Sequence, residues 1–166
     1  TAAEHTATPS TGVKYGDVLE LPLGLDGFFD LEEAEAYAKQ VDKPLFIDFT
    51  GHGCVNCREM EARVWSDERV LDHLRNNYVV TALYVDDKHK LPEEDWVTDA
   101  QTGKVYKDLG RVNSYIARER FNVNAQPNYV LLSPDGEILV PTHSYDLSVE
   151  NFIKFLNSGI DAYKAR

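Results

Sequence analysis

A nearly continuous apolar run, Leu45–Thr50, limits the possible folds of this chain more than any other segment. Its length and lack of alternation are typical of a central strand covered on both faces. A short glycine loop at residues 51–53 follows, and Cys54 then begins a stretch with helical spacing. The sequence therefore predicts a buried strand, a tight loop and a helix in direct succession, with Cys54 and Cys57 at the junction.

Strand-like and helix-like segments alternate along the rest of the chain. Because such alternation is typical of layered α/β proteins, we expect a central mixed β-sheet flanked by helices. The predicted helices are residues 31–41, a segment from residue 54 with Met60 and Val64 on one face, a helix capped by Asp67 or Ser66, residues 112–120, and a final helix capped by Ser148. The predicted strands are residues 45–50, 78–85, 128–132 and 137–140, of which the last two form a hairpin.

The chain is expected to hold one domain with a tail and an insertion. Residues 1–12 are rich in Thr, Ala, Ser and Pro without periodicity, which predicts a flexible tail or linker. Residues 13–166 have a normal length for a single core. Residues 86–110 are polar, with a predicted turn at 99–103 and no clear period. Because this stretch exceeds a normal connection, we interpret it as an insertion or a partner-facing loop.

The overall charge excludes some functions. Twenty-eight acidic residues against seventeen basic ones give a net charge of −11. Such a surface repels phosphate backbones and anionic lipid, so we expect binding neither to nucleic acid nor to a membrane surface. The acidity is explained either by solubility or by a preference for basic partner patches.

The two cysteines are the candidate reactive groups. At the start of a helix, amides and dipole favour negative charge, so a thiol ionises readily, and the thiolate is the nucleophile in disulfide exchange. We expect Cys54 to be the exposed attacking thiol and Cys57, one turn inward, the resolving one. The alternatives are half of a zinc site, for which none of the five histidines shows paired spacing, or a structural disulfide.

Two further positions fit the same chemistry. Asp48 lies within the apolar run, where a carboxylate is costly unless it has a role; a raised pKa would suit it to accept the proton of Cys57. The alternative is a solvated carboxylate at a strand end. Gln126 and Pro127 immediately precede the strand at 128–132, and proline belongs at a strand's first residue because it cannot donate to the ladder. A cis bond there would turn the preceding backbone edge towards the cysteines, ready to pair with an extended substrate.

These features together resemble the thioredoxin superfamily. Four blocks, KPLFIDF at 43–49, GCVNCREME at 53–61, VWSD at 64–67 and YVD at 84–86, are more narrowly similar to the C-terminal domain of the thiol:disulfide interchange protein DsbD. The resemblance covers roughly residues 28–163. It implies a thioredoxin-like fold and a periplasmic, monomeric domain, excised from an inner-membrane protein and without a cofactor.

The resemblance also implies partners and site residues. The domain would take electrons from a membrane domain of the same polypeptide and pass them to disulfide-bearing proteins, among them another periplasmic redox domain. By position, Cys54 resembles the attacking cysteine, Cys57 the resolving one and Pro127 the cis-proline, while Asp48 and Glu61 match acidic residues that tune the cysteines. The alternative for Glu61 is an ordinary solvated helix glutamate. The residues expected to contact substrate are Gly53, Val55, Asn56 and Gln126.

The chain departs from the family pattern beside the first cysteine. Gly53 replaces the usual aromatic residue and removes a substrate-facing wall. His52 either stabilises the thiolate when protonated or is a solvated loop histidine, and Trp65 and Trp96 are expected to pack in the core and in a loop. The leading hypothesis is a dithiol reductase. The alternatives are a thioredoxin-fold oxidase or isomerase, and a binding module whose cysteines clamp a metal or form an inert staple.

Overall fold

The computed structural model describes residues 12–166, so the tail predicted at 1–12 lies, but for Gly12, outside the described residues. The helices are α1 (Leu31–Val41), α2 (Val55–Met60), α3 (Glu68–Asn77), α4 (Leu109–Phe121) and α5 (Val149–Lys164). The strands are β1 (Leu45–Thr50), β2 (Val79–Tyr84), β3 (Val97–Thr98), β4 (Val105–Tyr106) and β5 (Asn128–Leu132). No helix within this part of the chain is long and apolar enough to cross a bilayer.

The central sheet is mixed, as the sequence predicts. Strand β1 lies in its middle, parallel to β2 on one side and antiparallel to β5 on the other. Asp48 is therefore in register with Ala82 of β2 and with Tyr129 of β5. Beyond β2, Phe28 adds a parallel bridge to Thr81, so the backbone before α1 protects that edge.

The prediction of a regular strand at residues 137–140 is wrong. The chain turns after β5 and runs back beside it, but it pairs only through isolated bridges of Ile138 with Leu132 and of His143 with Tyr129. Pro141 falls between the two bridges and has no N–H to donate, which prevents a continuous ladder there. The predicted hairpin is thus present as a return of the chain and not as paired regular strands.

Alternate residues of β1 face two apolar layers. Leu45, Ile47 and Phe49 pack with residues of α1 and α4. Phe46 points the other way, where its ring contacts Trp65 and lies near residues of α3 and α5. Because both faces are covered, every residue of β1 is buried, including the polar Asp48 and Thr50. This explains the uninterrupted apolar run in the sequence.

Two helices differ in detail from their predictions. Helix α2 passes into a π-helical turn at Glu61–Trp65. Of the two caps predicted for α3, Asp67 is the one observed, and it accepts the N–H of Arg69. Helix α4 begins three residues earlier than predicted because the Asp108 carboxylate accepts the N–H of Arg111. That cap was hidden within the polar stretch assigned to the insertion.

The insertion is ordered. Strands β3 and β4 pair around the turn at 99–103, in which Gly103 adopts a positive φ of 76°. Backbone hydrogen bonds close the insertion at its base, where the N–H of Gly110 donates to Asp87 at 2.9 Å. Trp96 packs in this loop, as predicted, and donates its indole N–H to the carbonyl of Leu91. The stretch thus contains a short hairpin of β3 and β4 that is closed at its base, and its last two residues already belong to α4.

Candidate functional site

Cys54 and Cys57 form a disulfide at the end of β1, with their Cα atoms 5.2 Å apart. Cys54 is the N-cap of α2, and its Sγ accepts the backbone N–H of Cys57 at 3.1 Å. Cys54 is half-buried, whereas only 1% of Cys57 is exposed. The predicted geometry of an accessible first sulfur and an inward second one is present.

Asp48 lies beneath this junction. Only 2% of the residue is exposed, so the alternative interpretation of Asp48 as a solvated carboxylate at a strand end is wrong. Burial raises the pKa of its carboxyl well above the ordinary range, the like charge of Glu61 adds to the effect, and Arg58 opposes it. Asp48 lies on the same face of β1 as Phe46, which packs with Met60 of α2, so the carboxyl lies below the helix that carries Cys57.

Glu61 and Arg58 complete a small charged cluster on α2 and the π-helical turn. The Arg58 Nη2 donates to Thr50 Oγ1 and to Glu61 Oε2, both at 2.8 Å. Burial raises the pKa of Glu61, and the attraction of Arg58 partly offsets that rise. Glu61 is thus a half-buried member of the Asp48 environment and not a freely solvated glutamate. Arg58 was not singled out from the sequence, although its i, i+3 spacing to Glu61 was the available signal.

The bond between Gln126 and Pro127 is cis. Pro127 is buried, and the following residue, Asn128, is in register with Phe49 near the carboxyl end of β1. The sheet therefore brings the proline motif to the edge at which the cysteine loop begins. The catalytic role of Pro127 and the substrate contacts of Gln126 stay predictions.

The residues beside the cysteines are accessible. Val55 is 78% exposed, and Gly53 and Asn56 are also exposed. Their predicted contacts with substrate are open to a partner but untested. His52 has an anchored ring, which stacks on Tyr84 at 4.3 Å between centroids and bonds Asp87 through Nε2 at 2.7 Å. His52 is therefore an exposed loop histidine, as one of the two interpretations expected, but its ring is held in place by Tyr84 and Asp87.

Asp86 is a residue whose contribution the sequence did not reveal. Its carboxylate accepts the backbone N–H groups of His52 and Gly53, at 2.8 and 3.0 Å. The position belongs to the YVD block, and it lies two residues beyond the end of β2, at the same sheet edge as the cysteines. An acidic residue at that edge was the signal.

Within residues 12–166, no group of three or more His, Cys, Asp or Glu side chains is arranged to hold a metal ion. His73, for example, bonds Asn157 and Asn77 at a distance from the cysteines. Trp65 is fully buried and contacts Phe46, as expected for a core residue.

Comparison with known proteins identifies the fold family. The profile of the thioredoxin-like domain matches residues 31–160. No curated protein sequence matches the chain. Among solved structures, a thioredoxin from Thermus thermophilus superposes with a TM-score of 0.61 at 23% identity, covering 84% of this chain and 90% of that chain.

Two further structures are similar at lower identity. The DsbH oxidoreductase gives a TM-score of 0.60 at 17% identity, over 89% of this chain and 92% of that chain. The oxidised C-terminal domain of DsbD from Neisseria meningitidis gives 0.55 at 14% identity, over 81% of this chain and 99% of that chain. At these sequence identities, the similarity to solved structures shows only the fold. The match to the family profile shows that the chain is a member of that family. The chain belongs to the thioredoxin-like domain family, as a thioredoxin-fold oxidoreductase with the CxxC pair Cys54 and Cys57.

Proposed function

We propose that this domain is a dithiol reductase, which relays electrons to partner proteins by thiol-disulfide exchange. The observation that carries the proposal is the buried Asp48 carboxyl, which has Arg58 of α2 and Glu61 as charged neighbours, together with a half-buried first cysteine and a buried second one. A structural staple needs neither an accessible sulfur nor a carboxyl with a raised pKa beneath it.

The exchange proceeds in two steps. The Cys54 thiolate attacks one sulfur of a partner disulfide, forms a mixed disulfide and releases the other partner sulfur as a thiolate. Asp48 then accepts the proton of the Cys57 thiol, and the resulting thiolate attacks Cys54 Sγ. The Cys54–Cys57 disulfide forms, and the second partner sulfur leaves. The second leaving sulfur takes the proton held by Asp48, and the first takes one from solvent, which replaces the proton that Cys54 released when it ionised. The partner therefore gains two electrons and two protons, and this domain loses the same.

The assay is reduction of insulin by the full chain in the presence of a small thiol donor. Cys54→Ser should abolish it because the attacking sulfur is lost, and Cys57→Ser should accumulate mixed disulfides visible on non-reducing gels. Asp48→Asn should lower kcat/KM on the order of 10²-fold, the lower range for loss of a proton acceptor. Full activity of Cys54→Ser would contradict the proposal.

An oxidase or isomerase on the same fold is the second candidate. Two observations support a reductant. The sequence between the cysteines contains no histidine, and the nearby carboxyl groups of Asp48 and Glu61 do not favour a thiolate. The reduction potential separates the two, since reductants of this fold lie near about −270 mV and strong oxidants near about −120 mV.

The relay and its location are proposed from the sequence blocks shared with the DsbD C-terminal domain. The electron donor would be a membrane domain of the same polypeptide, the acceptor another periplasmic redox domain, and the compartment the periplasm. The exposed Gly53 and Val55 beside Cys54 support docking of a protein partner. Cross-linking of Cys57→Ser in periplasmic extract, followed by identification of the trapped partner, tests this relay. If the trapped proteins carry no redox-active cysteines, the relay proposal fails.

The binding-module alternative is tested by counting free thiols with and without a chelator. Stoichiometric zinc on the reduced protein would favour it.

A further inference from the structure

We propose that Asp86 is a positioning residue that holds the loop before Cys54 and makes the cysteine pair a stronger reductant. The inference rests on the proposed reductase function, because it concerns the same cysteine pair. Asp86 lies two residues beyond the end of β2 and, with its two carboxyl oxygens, accepts one backbone N–H from each of His52 and Gly53. One side chain thus ties two successive amides of the cysteine loop to the neighbouring strand end.

The loop is shaped to receive this carboxylate. A Cβ at residue 51 would lie 3.1 Å from Asp86 Oδ2, closer than side-chain carbons normally approach, so Gly51 permits the contact. The loop then closes through a hydrogen bond from the N–H of Cys54 to the carbonyl of Gly51 at 3.3 Å. Cys54 reaches its N-cap position directly after this turn, so the carboxylate fixes the backbone from which the attacking sulfur extends.

Asp86 also opposes the stabilisation that a helix start gives to a thiolate. The amides of His52 and Gly53 are the donors immediately before Cys54, and both point to the carboxylate and not to sulfur. The Cys54 sulfur receives the N–H of Cys57 instead. A carboxylate held this close to the helix start repels the Cys54 thiolate. Because the reduced form is destabilised relative to the disulfide, the equilibrium favours giving electrons away.

Asp86 carries its charge at neutral pH. Partial burial is the largest single effect and raises its pKa, but the hydrogen bonds from the N–H groups of Gly53 and His52, together with the attraction of His52, lower the pKa overall. The other charged groups at this edge have different partners. Asp87 bonds the His52 ring and the N–H of His89, and Arg58 on α2 bonds Glu61 and Thr50. Asp86 is therefore the carboxylate that holds both loop amides.

The test measures the equilibrium of the full chain with the glutathione couple, in which protein dithiol and glutathione disulfide exchange for protein disulfide and two glutathione thiols. Asp86→Asn and Asp86→Ala should both shift this equilibrium towards the dithiol by roughly two- to fivefold, the range of one charge at a partly exposed helix start. In both variants the alkylation of Cys54 by iodoacetamide should reach its half-maximal rate at lower pH, because the thiolate forms more easily.

The matched control is Asp87→Asn. It removes a carboxylate one residue further along the chain, and that carboxylate does not bond the backbone N–H of His52 or of Gly53. Its shift should be less than half that of Asp86→Asn. The proposal is overturned if Asp86→Asn leaves the equilibrium unchanged or shifts it towards the disulfide. An equal shift in Asp87→Asn overturns it as well, since the effect would then be general electrostatics.

A measurement on the unaltered protein guards against misfolded variants. In the reduced form, the backbone N–H groups of His52 and Gly53 should exchange with deuterium more slowly than expected for an open loop, because the carboxylate holds them. Exchange at the unprotected rate would contradict the positioning role. These equilibrium and exchange data do not depend on insulin reduction, so an inactive wild type would refute the proposed function without deciding the role of Asp86.

Discussion

Arg58 donates a 2.8 Å hydrogen bond to Glu61 and so holds a positive charge beside carboxyl groups that burial drives towards neutrality. The pKa of Asp48 and that of Glu61 are raised chiefly by burial, and in both cases the guanidinium acts in the opposite direction. The cluster is therefore a balance between desolvation, which favours protons on the carboxyls, and one cation, which favours their removal. That balance sets the pH range in which the Asp48 carboxylate can accept a proton.

Replacing Arg58 with Met should raise the pKa values of Asp48 and Glu61 further, because the opposing charge is lost while burial remains. Carboxyl carbon shifts followed by NMR against pH measure both groups directly. Arg63→Met is the matched control, since Arg63 pairs with Glu59 on the outer surface and not with this cluster. If the Asp48 titration is unmoved in Arg58→Met, or moves to lower pH, the described balance is incorrect.

Asp48 should make folding less favourable as pH rises. Its pKa is higher in the folded state than in the unfolded chain, so the folded state binds more protons between the two values, and the free energy of unfolding falls with pH across that window. Below the ordinary aspartate range this stability is fully present, and it is lost as pH rises through the folded pKa.

The measurement is urea unfolding of the oxidised protein and of Asp48→Asn from acid to neutral pH. Asparagine is neutral throughout, so the difference in unfolding free energy between the two proteins isolates the Asp48 proton. The wild type should lose stability relative to Asp48→Asn as pH increases. A constant difference, or one of opposite slope, would show that the carboxyl is not buried as described.

Phe46 should be among the most costly core residues to truncate. It is fully buried, and its ring contacts Trp65, Tyr129 and Phe152 on the face of the sheet below α2 and α5. Phe46→Ala should lower the free energy of unfolding by about 3–5 kcal/mol, the usual range for a buried phenylalanine. Val55→Ala, at an exposed position, should stay within about 0.5 kcal/mol. Chemical denaturation measures both, and similar losses would contradict the assigned core.

The strand, loop and helix that hold the cysteines could be predicted because their signals are local. The apolar run, the two glycines and the CxxC spacing are adjacent in the chain, and each has a direct physical meaning. The burial of Asp48 followed from the same run. By contrast, Asp86 contacts residues 34 and 33 positions earlier, and only the parallel pairing of β1 with β2 brings them together. No period in the sequence carries that information.

The errors have equally specific causes. Residues 138–140 are consecutive apolar residues, which indicate a strand whether or not the backbone completes a ladder, and Pro141 decides that it does not. The start of α4 was misplaced because Asp108 lies among other polar residues of the insertion, where its capping function is not distinguishable by composition. Local patterns thus located the elements, while their ends and cross-chain contacts depended on the tertiary structure.

Gly110 should not tolerate a side chain, even though it lies in the first turn of α4. Alanine is ordinarily favoured over glycine in a helix by about 1 kcal/mol. Here, however, a Cβ would lie 2.6 Å from the carbonyl oxygen of Asp87 and 2.8 Å from that of Val85, and these are backbone atoms that cannot rotate away. The cost of overpacking, about 1–3 kcal/mol, should exceed the gain in helix propensity.

Gly110→Ala should therefore lower the free energy of unfolding and weaken the closure of the insertion, which depends on the bond from the N–H of Gly110 to Asp87. Limited proteolysis within residues 88–107 should accelerate in the folded variant. Gly53→Ala is the matched control, because in the described structure the nearest atom to its added Cβ would be Asp86 Oδ2 at 3.7 Å, an ordinary contact. A stabilised Gly110→Ala with unchanged proteolysis would show that the close approach of α4 to residues 85–87 is wrong.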